Sequence, residues 1–194
     1  MNWIFALLYR LAGWRTIGHA PKELKKGIWL VCPHWYNWDF LIGIGVRAYI
    51  DLKIGYLGKS SLFKWYSGWL FRGLGGYPVD RTKNNNLVEA VATTFHQNET
   101  IHIAIAPEGT RSNVSKLKTG FYYMALKANV PIILVGFDYP RKAVVFGDVI
   151  YPTGDFVKDM KSVYEFFLTI QGPKKEWLQN YVQTGEIPLP KEGR

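Results

Sequence analysis

Two kinds of apolar run alternate along this chain. Short runs rich in Ile and Val, bounded by Gly, Pro, Asn or Asp, predict strands over 28–32, 53–57, 101–106, 132–137 and Ala143–Ile150. Longer runs predict helices over 38–49, 61–74, 86–97, 121–128, 156–170 and 174–183. Pro173 is well placed to begin the last of them. This alternation argues for an α/β fold, a single domain with a largely parallel central sheet flanked by helices. At 194 residues the chain suffices for one domain that buries about 70% of the surface its unfolded form exposes. No internal repeat, linker or low-complexity tract interrupts it, and 185–190 is expected to be extended and mobile at its end.

The first 14 residues depart from the alternation. They are apolar nearly all round, broken by Asn2, Tyr9, Arg10 and Gly13, and are followed by Arg15, Lys22, Lys25 and Lys26. A bilayer span takes about 20 residues, so this segment is too short to cross. It also lacks the charged start and small-residue cleavage site of a signal peptide. Residues 1–15 therefore read as an interfacial helix lying on anionic lipid, with burial in the core as the alternative. The run 61–72 points the same way: Leu62, Trp65 and Trp69 recur at i, i+3 and i+7, with Lys64 and Arg72 on other faces. Trp and Tyr beside Lys and Arg suit the headgroup region; a plain core-facing helix is the competing reading.

Net charge of +9, from 24 basic against 15 acidic residues, favours an anionic partner such as a membrane surface or a phosphate-bearing substrate. No recognised nucleic-acid module organises these charges, so nucleic acid is not expected as a partner. The expected location is cytoplasmic, peripheral on the inner face of the cell membrane. One cysteine permits no intrachain disulfide, and four histidines without ligand spacing give no metal site. Cys32 reads as an inert strand residue rather than a nucleophile. Gly43-Ile44-Gly45-Val46-Arg47-Ala48 matches a dinucleotide-binding glycine pattern, but that pattern needs an acid about 20 residues later. Asp51 is too near and Asp80 too far; the small residues instead let the helix after Asp39 pack closely.

Chemistry concentrates in two segments. In the first, His34-Trp35-Tyr36-Asn37-Trp38-Asp39, a continuous helix would set His34 and Asp39 about 140° apart around its axis. Pro33 discourages helix upstream and Asn37 is a good N-cap for a helix starting at Trp38. Asp39 then lies in the first turn, where the helix dipole favours a carboxylate, and His34 folds back onto it from the loop. So oriented, an imidazole with an ordinary pKa of about 6.5 is a suitable general base. No Ser or Thr lies in the segment, so the hydroxyl to be activated belongs to a substrate. A loop histidine satisfied by a nearby acid is the alternative. In the second segment Pro107 ends a strand, and Glu108-Gly109-Thr110-Arg111 turns at its carboxyl end, where ligands bind in open α/β sheets. Arg111 offers a planar fork for phosphate or carboxylate; a polar turn with a surface Arg–Glu pair is the alternative.

With these residues in place, the chain resembles the lysophospholipid and glycerol-phosphate acyltransferase family. Four blocks occur in that family's order: His34 to Asp39, Gly76-Tyr77-Pro78-Val79-Asp80-Arg81, Glu108 to Arg111, and Val130-Pro131-Ile132-Ile133. Pro33 and Tyr36 replace the Asn and Ser many members carry around the His, and this variant, with the stretches 118–122 and 151–155, resembles a short, compact branch. The resemblance makes 16–194 the acyltransferase domain. It implies that His34 and Asp39 deprotonate an acceptor hydroxyl, which attacks an acyl thioester. Coenzyme A or acyl carrier protein carries the acyl group as donor substrate, and no other cofactor is implied. Arg81, Glu108, Gly109, Thr110 and Arg111 would hold the acceptor's polar head, with Lys59 beside them and Lys118 as a further candidate. The aromatics from Phe63 to Phe71 would contribute to an acyl groove. The favoured acceptor is 1-acyl-glycerol-3-phosphate, giving phosphatidic acid. An amino-acid lipid acceptor, a thioesterase and a non-catalytic membrane-binding protein are the competing readings.

Overall fold

β2 (Lys26–Cys32) and β6 (Ile132–Asp138) are apolar almost throughout, as strands covered on both faces must be. They lie side by side in parallel, Ile28 opposite Ile132 and Cys32 opposite Gly136. Around this pair the chain, seen in a computed structural model that describes residues 2–79 and 84–190, builds one mixed sheet. The other strands are β1 (Arg15–Ile17), β3 (Gly55–Lys59), β4 (Gly76–Val79), β5 (Ile101–Ile105) and β7 (Ala143–Ile150). Among the described residues the spatial order is β1-β7-β6-β2-β5-β3-β4. Every neighbouring pair is parallel except β6 with β7. The expected α/β architecture with a largely parallel sheet is therefore the observed one.

The two-residue period of the strands sorts their side chains into two cores. Ile28, Leu30, Ile132 and Leu134 face one layer. It is formed by α4 (Asn84–Gln97), α5 (Gly120–Ala128), α6 (Phe156–Thr169) and α7 (Glu176–Thr184). Trp29, Ile133, Val135 and Phe137 face the other, formed by α1 (Asn2–Leu11) and α2 (Asp39–Tyr49). α5 ends at Asn129, whose left-handed backbone (φ 51°) turns the chain into Pro131 and β6.

α1 is half docked. Tyr9 is buried against α2 and its hydroxyl donates to the Arg15 carbonyl at 2.7 Å. Trp3, Ile4, Leu7, Leu8 and Leu11 are exposed. The alternative of core burial thus holds for one face of the helix only. No described helix is long and apolar enough to cross a membrane.

Several expectations are corrected. The helix over 61–74 is replaced by a 3-10 turn (Ser60–Leu62), an irregular stretch and the short α3 (Gly68–Gly73). Gly68 approaches the Phe63 carbonyl so closely that a Cβ would sit 2.9 Å from it, and a glycine inside a helix costs about 1 kcal/mol. Trp65 and Trp69 are exposed, which removes the core-facing alternative for them. β1 and β4 were too short to stand out as apolar runs. β3 lies two residues later than expected. The last helix begins at Glu176 rather than after Pro173, because Lys175 is extended (ψ 157°).

Gly43 and Gly45 share α2 but not its surroundings. A Cβ on Gly43 meets nothing within 4 Å, whereas one on Gly45 falls 2.9 Å from the Tyr9 Cβ. The close packing expected of these small residues is thus found at Gly45. Gly43→Ala should stabilise the protein by about 0.5–1 kcal/mol. Gly45→Ala should destabilise it by about 1 kcal/mol or more, because α1 must move away. Denaturant unfolding of the two variants checks the difference in sign.

Candidate active site

The carboxyl ends of three adjacent strands converge on one edge of the sheet. β2 runs into Pro33 and His34, β5 into Pro107 and Glu108, and β6 into Asp138 and Tyr139. This is the crevice where parallel sheets place their ligands.

Asp39 is the first residue of α2, and Asn37 supplies no side-chain cap. Instead the Asp39 carboxylate reaches back over the loop. Its Oδ2 accepts from the His34 Nδ1 at 2.7 Å, from the Trp35 N–H at 2.8 Å and from the Tyr36 N–H at 2.9 Å. Its Oδ1 accepts from the Tyr139 hydroxyl at 2.8 Å. Four donors thus satisfy a carboxylate that is 1% exposed, while the imidazole is 29% exposed. A carboxylate can only accept, so the proton of neutral His34 belongs on Nδ1 and Nε2 is left to take up another. Burial, followed by the charge and hydrogen bond of Asp39, pushes the Tyr139 hydroxyl far above its ordinary pKa, so it remains a donor.

The second segment is placed differently from expectation. Glu108 is 1% exposed and faces inward. Its Oε2 accepts from the His34 N–H at 2.8 Å and from the Lys175 Nζ at 2.8 Å; its Oε1 accepts from the Trp177 Nε1 at 3.3 Å. Glu108 therefore does not offer itself to an acceptor's head group, and it forms no surface pair with Arg111. Pro107 ends the strand and the turn folds the acid beneath the His34 loop. Arg111 and Thr110 are exposed, and the Thr110 Oγ1 accepts from the Ser112 N–H. Gly109 has φ +67°, and a Cβ there would lie 2.6 Å from the Lys118 Nζ. Lys118 thus crosses over the turn, and the left-handed backbone at Gly109 favours glycine there. Lys59 ends β3 with its side chain outside the described residues, and Arg81 lies outside them altogether.

Cys32 is fully buried, and burial with the Glu108 charge pushes its thiol pKa up, so it is inert packing as expected. Among the described residues no group of three or more His, Cys, Asp or Glu could hold a metal ion. The rings of Phe63 and Phe71 meet at a tilt, 6.0 Å between centres, and the Phe63 ring lies against Gly58 of β3 and Gly76 of β4.

A family model described as Acyltransferase matches residues 15–138. The chain belongs to the acyltransferase family. Its fold is similar to the crystal structure of the 1-acyl-sn-glycerophosphate (LPA) acyltransferase PlsC from Thermotoga maritima, with a TM-score of 0.58 and 16% identity. That similarity covers 89% of this chain and 81% of that one. No curated protein sequence matches the chain.

Three residues around this site lie beyond the matched segment and were not anticipated: Tyr139, Lys175 and Trp177. Tyr139 had a signal, since it follows a central strand at its carboxyl end. Lys175 and Trp177 had none beyond an ordinary helix start.

Tyr139 is held by its own loop. The Asp138 carboxylate accepts from the Arg141 guanidinium and from the backbone N–H groups of Arg141 at 3.0 Å and Gln171 at 2.8 Å. Burial opposes the Asp138 charge, but these donors prevail and hold its pKa below the ordinary carboxylate value. A depressed carboxylate contributes stability above its unfolded pKa and loses it as pH falls through its folded pKa. Asp138→Asn should therefore flatten the acid limb of the stability curve, read by unfolding midpoints across that range. Tyr139→Phe should cost about 1–3 kcal/mol, since it leaves a buried carboxylate oxygen without its donor; denaturant unfolding at neutral pH checks it.

Proposed function

We propose that this acyltransferase moves a fatty acyl group from a thioester of coenzyme A or acyl carrier protein to a hydroxyl of a lysophospholipid or glycerol phosphate. The favoured reaction converts 1-acyl-glycerol-3-phosphate to phosphatidic acid. The observation that carries this reading is the bond of 2.7 Å from His34 to the buried Asp39, beside a turn that presents Arg111 to solvent. The acceptor named for the similar PlsC structure, a 1-acyl-sn-glycerophosphate, supports a phosphorylated glycerolipid.

In this reading the His34 Nε2 takes the proton from the acceptor hydroxyl as its oxygen attacks the thioester carbonyl. The fixed Asp39 charge stabilises the imidazolium that forms. The tetrahedral intermediate then expels the thiolate, which recovers the proton from His34. No acyl-enzyme forms. Arg111 and Lys118, with Arg81 and Lys59, bind the phosphate; Gly109 and Thr110 shape the turn that presents them. The paired rings of Phe63 and Phe71 line the acyl groove. The exposed apolar residues of α1, with Trp65 and Trp69, rest on the inner face of an anionic membrane, where the net charge of +9 assists.

Thiol release from palmitoyl-coenzyme A, with and without lysophosphatidic acid, tests the reaction. Wild type should release thiol only with the lipid, and His34→Ala should lose about 10²–10⁴-fold. Release without lipid would instead indicate hydrolysis, and release restored only by an amino-acid lipid would reassign the acceptor. Arg111→Ala should lose activity chiefly with phosphorylated acceptors; an equal loss with monoacylglycerol would sink the phosphate assignment.

A further inference from the structure

The side chain of Lys175 is fully buried at the start of α7, outside the segment that defines the family. Its ammonium gathers acceptors from both loops of the site. From the first it takes the His34 carbonyl at 2.7 Å and stands 4.7 Å from the centre of the Trp35 ring. From the second it takes the Glu108 Oε2 at 2.8 Å and the carbonyls of Ser112, Thr110 and Arg111 at 3.1, 3.3 and 3.4 Å. An ammonium has three protons, so these acceptors share them. His34 is consequently gripped by the ion pair at both ends of its backbone: its N–H donates to Glu108 and its carbonyl accepts from Lys175.

We infer that Lys175 is a positioning residue that sets the register between His34 and the turn carrying Arg111, and so fits the site to phosphorylated acceptors. This rests on the function proposed above, because the register matters only if His34 meets the hydroxyl while Arg111 meets the phosphate. The pair is a weak candidate for a mere stabiliser. Two charges taken out of water recover their desolvation only with good geometry, and replacing both by neutral groups of similar volume is often harmless to stability. What such a replacement would remove is the clamp on two loops that must fit one substrate at two points. Misplacing reacting groups by about 1 Å can cost about a hundredfold in rate.

The test is E108Q/K175M, which removes both charges while keeping the volumes similar. Its unfolding midpoint should fall, because methionine offers no donor to the carbonyls that Lys175 serves, so both rates are read below the onset of unfolding. Its kcat with lysophosphatidic acid should fall about a hundredfold, and clearly less with monoacylglycerol, which has no phosphate to register. A smaller folded fraction would lower both rates equally and leave their ratio unchanged. An unchanged ratio in the folded variant therefore overturns the inference. If the double variant does not fold, Trp177→Phe carries the same test. It withdraws the indole donor from Glu108 while leaving both charges in place, at the cost of some packing against Tyr164 and Phe167 that lowers both rates alike. The same ratio should fall several-fold; an unchanged ratio again overturns the assignment. Failure of the underlying function looks different: wild type would show no lipid-dependent thiol release, or His34→Ala would match it.

Discussion

The site depends on the burial of Glu108. A carboxylate at 1% exposure must have its charge answered inside the protein, and the nearest answer comes from Lys175, 67 residues away in sequence. Satisfying that one group brings α7 against the β5 turn, places Trp177 over the other carboxylate oxygen and ties down the His34 N–H. Residues that never reach solvent thereby fix the path of the loop carrying a partly exposed imidazole.

Two acids divide the work of holding one histidine. Asp39 fixes the ring through Nδ1, and Glu108 fixes the backbone through the amide. The division follows from where each sits. Asp39 begins a helix, and its short side chain reaches back to the N–H groups of Trp35 and Tyr36 just before it. Glu108 is longer and comes from the neighbouring strand, so it reaches beneath the loop rather than alongside the ring. Tyr139, from the third strand, completes the set by supplying Asp39 Oδ1 with a donor. The parallel order β5-β2-β6 is what sets these three contributions side by side.

The His34–Asp39 pair is legible in the sequence because both partners lie within one short segment, where local geometry decides the outcome. The strands β2, β5 and β6 are legible for the same kind of reason: their apolar runs are long and cleanly bounded. Glu108 is not. A glutamate in a polar turn reads identically whether it faces water or the interior, and the difference is made by a lysine in a helix start with no local mark. β1, at three residues, carries too little pattern to register, and its place is set by pairing with β7. The segment 61–74 fails differently. Its apolar spacing suits a helix, but Gly68 and the close approach to Phe63 divide it.

The exposed aromatics bear on how a lipid would reach His34. Tyr36 and Trp38 belong to the His34 loop itself, at 51% and 70% exposure, and Leu41 follows on the first turn of α2. The exposed residues of α1 lie on the helix that packs against α2. Exposed apolar side chains thus occur both on α1 and on the loop and first turn that carry His34 and Asp39. Burying a large apolar side chain gains about 1.5–3 kcal/mol, which on the proposed function is the source of affinity for a bilayer. On the proposed function this arrangement has a consequence for the acceptor. A lysophospholipid need only raise its head group to His34 and Arg111 while its acyl chain stays in apolar surroundings, and the energetic cost of drawing a lipid into water is avoided.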